Sequence, residues 1–169
     1  MELKDKVVVV TGGAGGIGSA LGRRFAAEGA RAVVLADRDG ARAEEVAAAI
    51  GPMARGASCD VGDDAAVAAL IDDVEARDGN IDLYCANAGI GAGTGIEGPD
   101  DEWNEVWRVN LMSTVVAARH LVPRWVERGG GYLLVTASAA GLLTSLGDAA
   151  YTATKHAAVG LAEWIWITY

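Results

Sequence analysis

Val7-Val8-Val9-Val10-Thr11-Gly12-Gly13-Ala14-Gly15-Gly16-Ile17-Gly18 is the stretch that decides the fold. Four consecutive valines read as a strand buried on both faces, as in the middle of a parallel sheet. The glycines close that strand with a tight turn. Ile17, Leu21 and Phe25 then recur at helical spacing over residues 17–28, until Gly29 stops the pattern. Strand, glycine-rich turn and helix in this order open a βαβ unit.

Outward from this unit the alternation continues. Residues 32–36 form a second apolar run, and residues 40–50 a helix with Arg42, Glu44 and Glu45 opposite Val46 and its alanines, ended by Gly51-Pro52. A weaker third strand covers 54–59, and a helix follows from Asp63 to about Asp78. A short fourth strand at 83–86 leads through a glycine-rich loop, 88–98, to one long helix from about Asp100 to Arg128, with Pro123 set to perturb its last turns. Gly129-Gly130-Gly131 breaks the chain before a fifth strand, 132–136. The last helix runs from about Ala149 to the end. The reading is α/β: one domain over 1–169, a doubly wound, mostly parallel sheet of five strands with helices on both faces.

Composition agrees and narrows the function. The chain has 169 residues, 51% hydrophobic and 22% charged, with 3 prolines, which excludes disorder. Its 23 glycines have no three-residue period, which excludes collagen. With 14 Lys+Arg against 23 Asp+Glu the net charge is −9, a balance that repels phosphate backbones and argues against nucleic-acid binding. Cys59 and Cys85 form no CxxC pair and read as small buried thiols. No apolar stretch reaches the roughly 18 residues of a membrane span, and the charged start, Glu2 to Lys6, is unlike a signal peptide. The expectation is a cytoplasmic protein with no membrane partner.

Within the glycine-rich turn two spacings overlap. Gly13, Gly15 and Gly18 fit GxGxxG, while Gly12, Gly16 and Gly18 fit TGxxxGxG. Such glycines let a pyrophosphate approach the backbone, and the following helix offers it free N–H groups and a positive dipole end. A plain structural turn is the alternative. Asp37 closes the second strand 19 residues past Gly18, where a carboxylate accepts hydrogen bonds from an adenosine ribose. A carboxylate there repels a 2′-phosphate and so favours NAD(H) over NADP(H); Arg38 beside it pulls the other way.

Further on, Tyr151-Thr152-Ala153-Thr154-Lys155 puts a phenol and an ammonium at i and i+4 on one helix face. A phenol with its ordinary pKa near ~10 is a poor general acid–base at neutral pH, and a nearby cation draws that value down. Alone, this pair means little. Its weight comes from following the turn at residues 11–18.

With these motifs in hand, the sequence resembles the short-chain dehydrogenase/reductase family along essentially its whole length, with a Rossmann-like fold. Thr11–Gly18 is similar to the family's cofactor motif, and Gly12, Gly16, Ile17 and Gly18 fall in it. Cys59-Asp60-Val61 looks like the segment that meets the adenine. Ala86-Asn87-Ala88-Gly89 resembles the NNAG signature, with Ala86 in place of its first Asn; Asn87, Ala88 and Gly89 stand as in the family. Asn110 matches an Asn that relays protons through water, and Ser138, 13 residues before Tyr151, matches the catalytic Ser. The implied roles follow. Tyr151 exchanges a proton with the substrate oxygen, Lys155 tunes Tyr151 and holds the nicotinamide ribose, and Ser138 orients the substrate oxygen. The implied activity is interconversion of an alcohol and a ketone or aldehyde by hydride transfer with NAD(H). Singly, Asn110 could serve a helix irregularity, Ser138 a strand end, and Lys155 a solvated face.

The family pattern continues past the equivalent of Tyr169 with a sixth strand, a Pro-Gly loop, a substrate-covering helix and a seventh strand. The expectations are therefore an unprotected fifth strand and a last helix missing part of its packing partner. An alternative function stays open: an impaired dinucleotide-binding or dimerising fragment of such an enzyme. A flavin or mononucleotide domain would share the turn but leave Ser138, Tyr151 and Lys155 unexplained. The loops facing a substrate, 90–98 and 142–150, are rich in small residues and compatible with steroids, sugars, acyl chains or simple alcohols alike.

His120 and His156 have no ligand cluster at metal spacing, so no metal is expected. Asp63-Asp64 and Asp100-Asp101-Glu102 read as helix-start carboxylates. Trp103, Trp107, Trp125, Trp164 and Trp166 read first as helix core and second as a homodimer face through the long and last helices.

Overall fold

Val7, Val8, Val9 and Val10 have no solvent exposure at all, because β1 (Val7–Thr11) is the central strand and both its faces are covered. β2 (Ala32–Asp37), β3 (Ala54–Ser58), β4 (Leu83–Ala86) and β5 (Tyr132–Val135) complete a parallel sheet in the order β3-β2-β1-β4-β5. The computed structural model describes residues 1–169. Five helices lie between the strands, α1 (Gly16–Ala27), α2 (Gly40–Ile50), α3 (Asp64–Arg77), α4 (Asp100–Trp107) and α5 (Ser113–Arg128), and α6 (Ala149–Thr168) follows β5.

Side-chain alternation along β1 divides the core in two. Val8 and Val10 face Phe25 of α1 and Ala43, Val46 and Ala47 of α2. Val7 and Val9 face Val67, Leu70, Ile71 and Val74 of α3, with Ala117, Leu121 and Trp125 of α5. The order reverses beside β1: the chain moves outward through β2 and β3, then returns to build β4 on the other side. A crevice opens at the carboxyl ends of the strands at such a reversal.

The long helix is not one regular helix. A π-helical turn, Arg108–Met112, joins α4 to α5. There the Ser113 amide donates to Arg108 O, five residues back, and the Ser113 hydroxyl donates to Val109 O at 2.6 Å. Such wide turns recur at functional sites, and Asn110 lies within this one. Pro123, expected to disturb the last turns, does not; α5 runs on to Arg128, anchored by buried Val122 and Trp125 on either side of it. Arg119, whose carbonyl loses its helical donor to Pro123, is an exposed residue, so the missing bond falls on the solvent side of α5.

The tryptophans separate as well. Trp125 is core, its Nε1 donating to Ile81 O at 2.8 Å. Trp164 and Trp166 are 58% and 82% exposed, which corrects the helix-core reading for that pair. The physical reason is the end of the sheet: β5 pairs only with β4, and the far end of α6 has no strand beyond β5 to pack on. An open apolar groove of about 600 Å³ lies there, lined among others by Trp125, Tyr132, Leu133, Ile165, Trp166 and Tyr169.

Elsewhere the helix-start carboxylates act as read. Asp63 accepts from Ala65 N at 2.9 Å, and Asp64 pairs with His120 Nε2 at 2.8 Å across α3 and α5. No helix is long and apolar enough to cross a membrane.

Candidate active site

The turn between β1 and α1 is shaped by glycine where nothing else fits. Gly12 has φ +64°, the left-handed region that disfavours a side chain. A Cβ on Gly18 would lie 2.1 Å from Gly12 O, so the helix can only start this close to the turn without one. Gly16 faces open space, with nothing within 4 Å of where its Cβ would stand. α1 carries no side-chain cap and no acidic residue in its first turn. The backbone N–H groups of Gly16, Ile17 and Gly18 find no acceptor in the chain. A diphosphate fits such a cradle of free donors and positive dipole. Ile17, in the first turn of α1, is 64% exposed.

Asp37 reaches this turn directly. Its Oδ2 accepts from Ala14 N at 3.1 Å and its Oδ1 from Asp39 N at 3.1 Å. The interval between Gly18 and Asp37 is thereby closed by one carboxylate, which keeps further lone pairs for a ribose hydroxyl. Arg38 is exposed beside it.

Asp60 and Val61 sit differently from their shared reading as adenine contacts. Val61 is buried in the core, which leaves only its main chain for a ligand. Asp60 Oδ1 accepts from Gly62 N at 2.9 Å, and both its oxygens pair with Arg108 Nη1 at 3.2 Å. The Gly62 amide and then Arg108 hold the Asp60 carboxyl below its usual pKa. Arg108 also bonds Glu105 through Nε at 2.7 Å. Its guanidinium packs so closely on Gly62 that a Cβ there would lie 1.9 Å from Nη1. The sequence reading missed Arg108; nothing local marks a helical arginine as the partner of a residue 48 positions away.

On the other side of β1 the site is held by side chains. Thr11 Oγ1 donates to Cys85 O at 3.1 Å and accepts from Asn87 N and Ala88 N. Asn87 Nδ2 donates to Thr11 O at 2.8 Å, and Asn87 Oδ1 accepts from Thr136 Oγ1 at 3.1 Å. One amide thus pins the ends of β1, β4 and β5 together. Asn110 clamps the loop after β4: Oδ1 accepts from Ile90 N, and Nδ2 donates to Ile90 O, each at 2.8 Å. Nδ2 also donates to Thr154 Oγ1 at 3.2 Å, which ties the π-helical turn to α6. Thr11 was read only as the first residue of the glycine-rich motif, and Thr136 and Thr154 were not singled out by sequence; the partners of small polar residues are not written in their neighbours.

Lys155 is buried, with its ammonium inside the site. Nζ donates to Thr136 O at 2.9 Å and lies 5.5 Å from the centroid of the Tyr151 ring. Burial lowers its pKa. Gly89 keeps the centre open: a Cβ there would stand 3.3 Å from Asn110 Oδ1 and 3.4 Å from Lys155 Nζ. Ser138 caps the short 3₁₀ turn Ala139–Gly141, its Oγ accepting from Ala140 N at 3.1 Å, and keeps its own proton for another acceptor. That turn packs against α6 so tightly that a Cβ on Gly141 would lie 2.7 Å from Lys155 O. Asn110, Gly89, Tyr151 and Lys155 are therefore brought together, and the Ser138 turn abuts the same stretch of α6.

Cys59 and Cys85 take no part. Burial pushes their thiols up to about 11 and about 12, Asp60 and Asp63 adding to the effect at Cys59, so both stay protonated.

The fold and this constellation define a doubly wound α/β domain with a glycine-rich turn after β1 and a Tyr151/Lys155 pair on α6. The chain belongs to the short-chain dehydrogenase family, whose pattern matches residues 6–165. It is 40% identical over 169 residues to the sex determination protein tasselseed-2 of Zea mays, covering 96% of this chain and 50% of that one. It is also 40% identical to the 1-deoxy-11-beta-hydroxypentalenate dehydrogenase of Streptomyces exfoliatus, covering 96% of this chain and 62% of the other. Among solved structures, a short chain dehydrogenase/reductase from Burkholderia phymatum in complex with NAD superimposes with a TM-score of 0.94 at 32% identity, covering 100% of this chain and 62% of that chain. The chain thus spans 50% to 62% of the length of these relatives.

Proposed function

We propose that this chain carries the nucleotide site and proton-transfer residues of an NAD-dependent oxidoreductase that interconverts an alcohol and a ketone or aldehyde. The observation that carries the reading is the convergence on Gly89 of Asn110 Oδ1 and Lys155 Nζ, with the Tyr151 ring 5.5 Å from that ammonium. The free amides of residues 16–18 hold the diphosphate, and Asp37 holds the adenosine ribose. The main chain of Asp60 and Val61 and the Asn87-Ala88-Gly89 turn line the remainder. A bound nicotinamide supplies the hydride in reduction and accepts it in oxidation.

Tyr151 gives a proton to the substrate oxygen in reduction and takes it back in oxidation. Ser138 donates a hydrogen bond to the same oxygen as charge develops on it. Lys155, fixed through Thr136 O, presents its remaining N–H groups to the nicotinamide ribose and its charge to Tyr151. Asn110 keeps the 88–90 segment and α6 in register and, by resemblance, supports a proton relay through water. Asp37 selects NAD(H) over NADP(H).

Assembly belongs to the same proposal. A second apolar groove, of about 700 Å³, runs between α5 and α6 and is rimmed by Arg119 and Glu127, neither of which has an ion pair within the chain. A two-fold homodimer would let the Arg119 of one copy face Glu127 of the other. The buried free thiols suit a reducing, cytoplasmic compartment. The open apolar grooves favour a second reading: a chain that binds nucleotide and pairs without turnover.

The test is NADH oxidation over a panel of ketones and aldehydes, together with NADH binding by calorimetry. Tyr151→Phe is expected to cut turnover roughly 10²–10⁴-fold with binding retained. Asp37→Ala is expected to weaken NADH binding about tenfold. Binding without turnover above the Tyr151→Phe level moves the conclusion to the second reading, and undiminished affinity in Asp37→Ala overturns the cofactor assignment.

A further inference from the structure

Asp148 precedes α6 and caps it, its Oδ1 accepting from Tyr151 N at 3.1 Å. Its other oxygen faces away from the helix. Oδ2 accepts from Gly93 N at 3.0 Å, in the glycine-rich loop after β4 and 55 residues back in the chain. Two glycines shape that loop around the carboxylate. A Cβ on Gly91 would lie 2.6 Å from Asp148 Oδ2, and Gly93 has φ +71°, the left-handed backbone that turns its N–H toward Asp148. A main-chain bond runs alongside, from Ala149 N to Thr94 O at 3.1 Å, and Thr94 Oγ1 donates to Glu102 Oε2 at 3.2 Å. One carboxylate therefore joins the Tyr151 amide to the 90–98 loop.

We propose that Asp148 is a positioning residue: it fixes the 90–98 loop against the first turn of α6 and so sets the width of the substrate entrance beside Tyr151. The proposal rests on the oxidoreductase reading for its kinetic consequence, while the clasp itself is a property of this chain alone. A carboxylate is required because both acceptors are used at once. An amide would turn its NH₂ toward one of the two N–H donors, and a serine would reach only the nearer one.

The experiment compares Asp148→Ser and Gly91→Ala with the parent chain by amide hydrogen exchange and by steady-state kinetics. Asp148→Ser keeps an oxygen for Tyr151 N and loses the reach to Gly93; Gly91→Ala pushes on the same carboxylate from the loop side. In both, exchange over residues 90–95 is expected to rise about tenfold, the loss of one charge-assisted hydrogen bond, while residues 152–160 stay protected. KM for the carbonyl substrate is expected to rise several-fold, with kcat and NADH affinity within about twofold of the parent. Unchanged exchange over 90–95 overturns the clasp. A loosened loop with unchanged KM, or a loss confined to kcat, overturns the positioning role. The exchange readout needs no turnover, so it fails separately from the oxidoreductase reading.

Discussion

The two flanks of β1 hold their ends of the crevice by different means. Toward β2 the work falls to missing side chains: Gly13, where a Cβ would lie 2.6 Å from Leu35 Cβ, and Gly18 against Gly12 O. Toward β4 and β5 it falls to side chains that are present: Thr11, Asn87, Thr136, Asn110, Thr154 and Lys155, linked over separations of 19 to 76 residues. The first flank gains close approach of backbone to ligand. The second gains a polar network whose parts are costly to remove singly, because each buried group left behind loses its partner.

The sharpest way to break this contrast is Gly18→Val. Its Cβ would overlap Gly12 O, and the strain is expected to cost about 3 kcal/mol, read as a roughly hundredfold loss of NADH affinity in calorimetry. Retained affinity would mean that the turn is not held by close approach. Asn87→Ala tests the other flank. It leaves Thr11 O and the Thr136 hydroxyl without a partner, and denaturant unfolding is expected to show a loss of about 2 kcal/mol. A neutral substitution would reduce the amide to a bystander.

A smaller, pH-dependent effect lies away from the crevice, where Glu75 of α3 meets Arg124 and Arg128 of α5. Burial alone would raise the Glu75 pKa, but hydrogen bonds from Arg124, Arg128 and Ile81 N outweigh it and leave the carboxyl below its usual 4.5. A depressed acid stabilises the fold above the unfolded-state pKa and loses that contribution as pH falls through the folded value. Glu75→Gln is expected to lower stability by about 1 kcal/mol at pH 7, with the gap to the parent closing as the pH falls below the unfolded-state value of 4.5 and through the lower folded-state value. Thermal unfolding across pH 3–7 measures it, and a gap independent of pH would assign the effect to packing.

How far each flank could be read from sequence follows from the same contrast. The all-valine strand, the glycine turn, the five-strand order of alternation and the stops at Gly29 and Gly51 were legible because each depends on residues a few positions apart. Tyr151 and Lys155 were legible as an i, i+4 pair whose weight came from the glycine-rich turn upstream, and Ser138 only by resemblance. Illegible were the π-helical turn at Arg108–Met112, the Arg108 pairing with Asp60, the partners of Thr11, Thr136 and Thr154, and the Asp148 clasp. The tryptophans misled for a related reason: hydrophobicity favours a core, but Trp164 and Trp166 lie beyond the last strand.

The amino-acid order by itself determined the layered parallel fold, the burial of β1 on both faces and the glycine-rich turn that follows it, since burial on both faces and the need for absent side chains are written in neighbouring residues. Only the tertiary structure decided which polar groups meet at Gly89, what Asp60 and Asp148 hold, and which apolar faces stay open. Those outcomes depend on distances between segments far apart along the chain, which exist only once the sheet has brought them side by side.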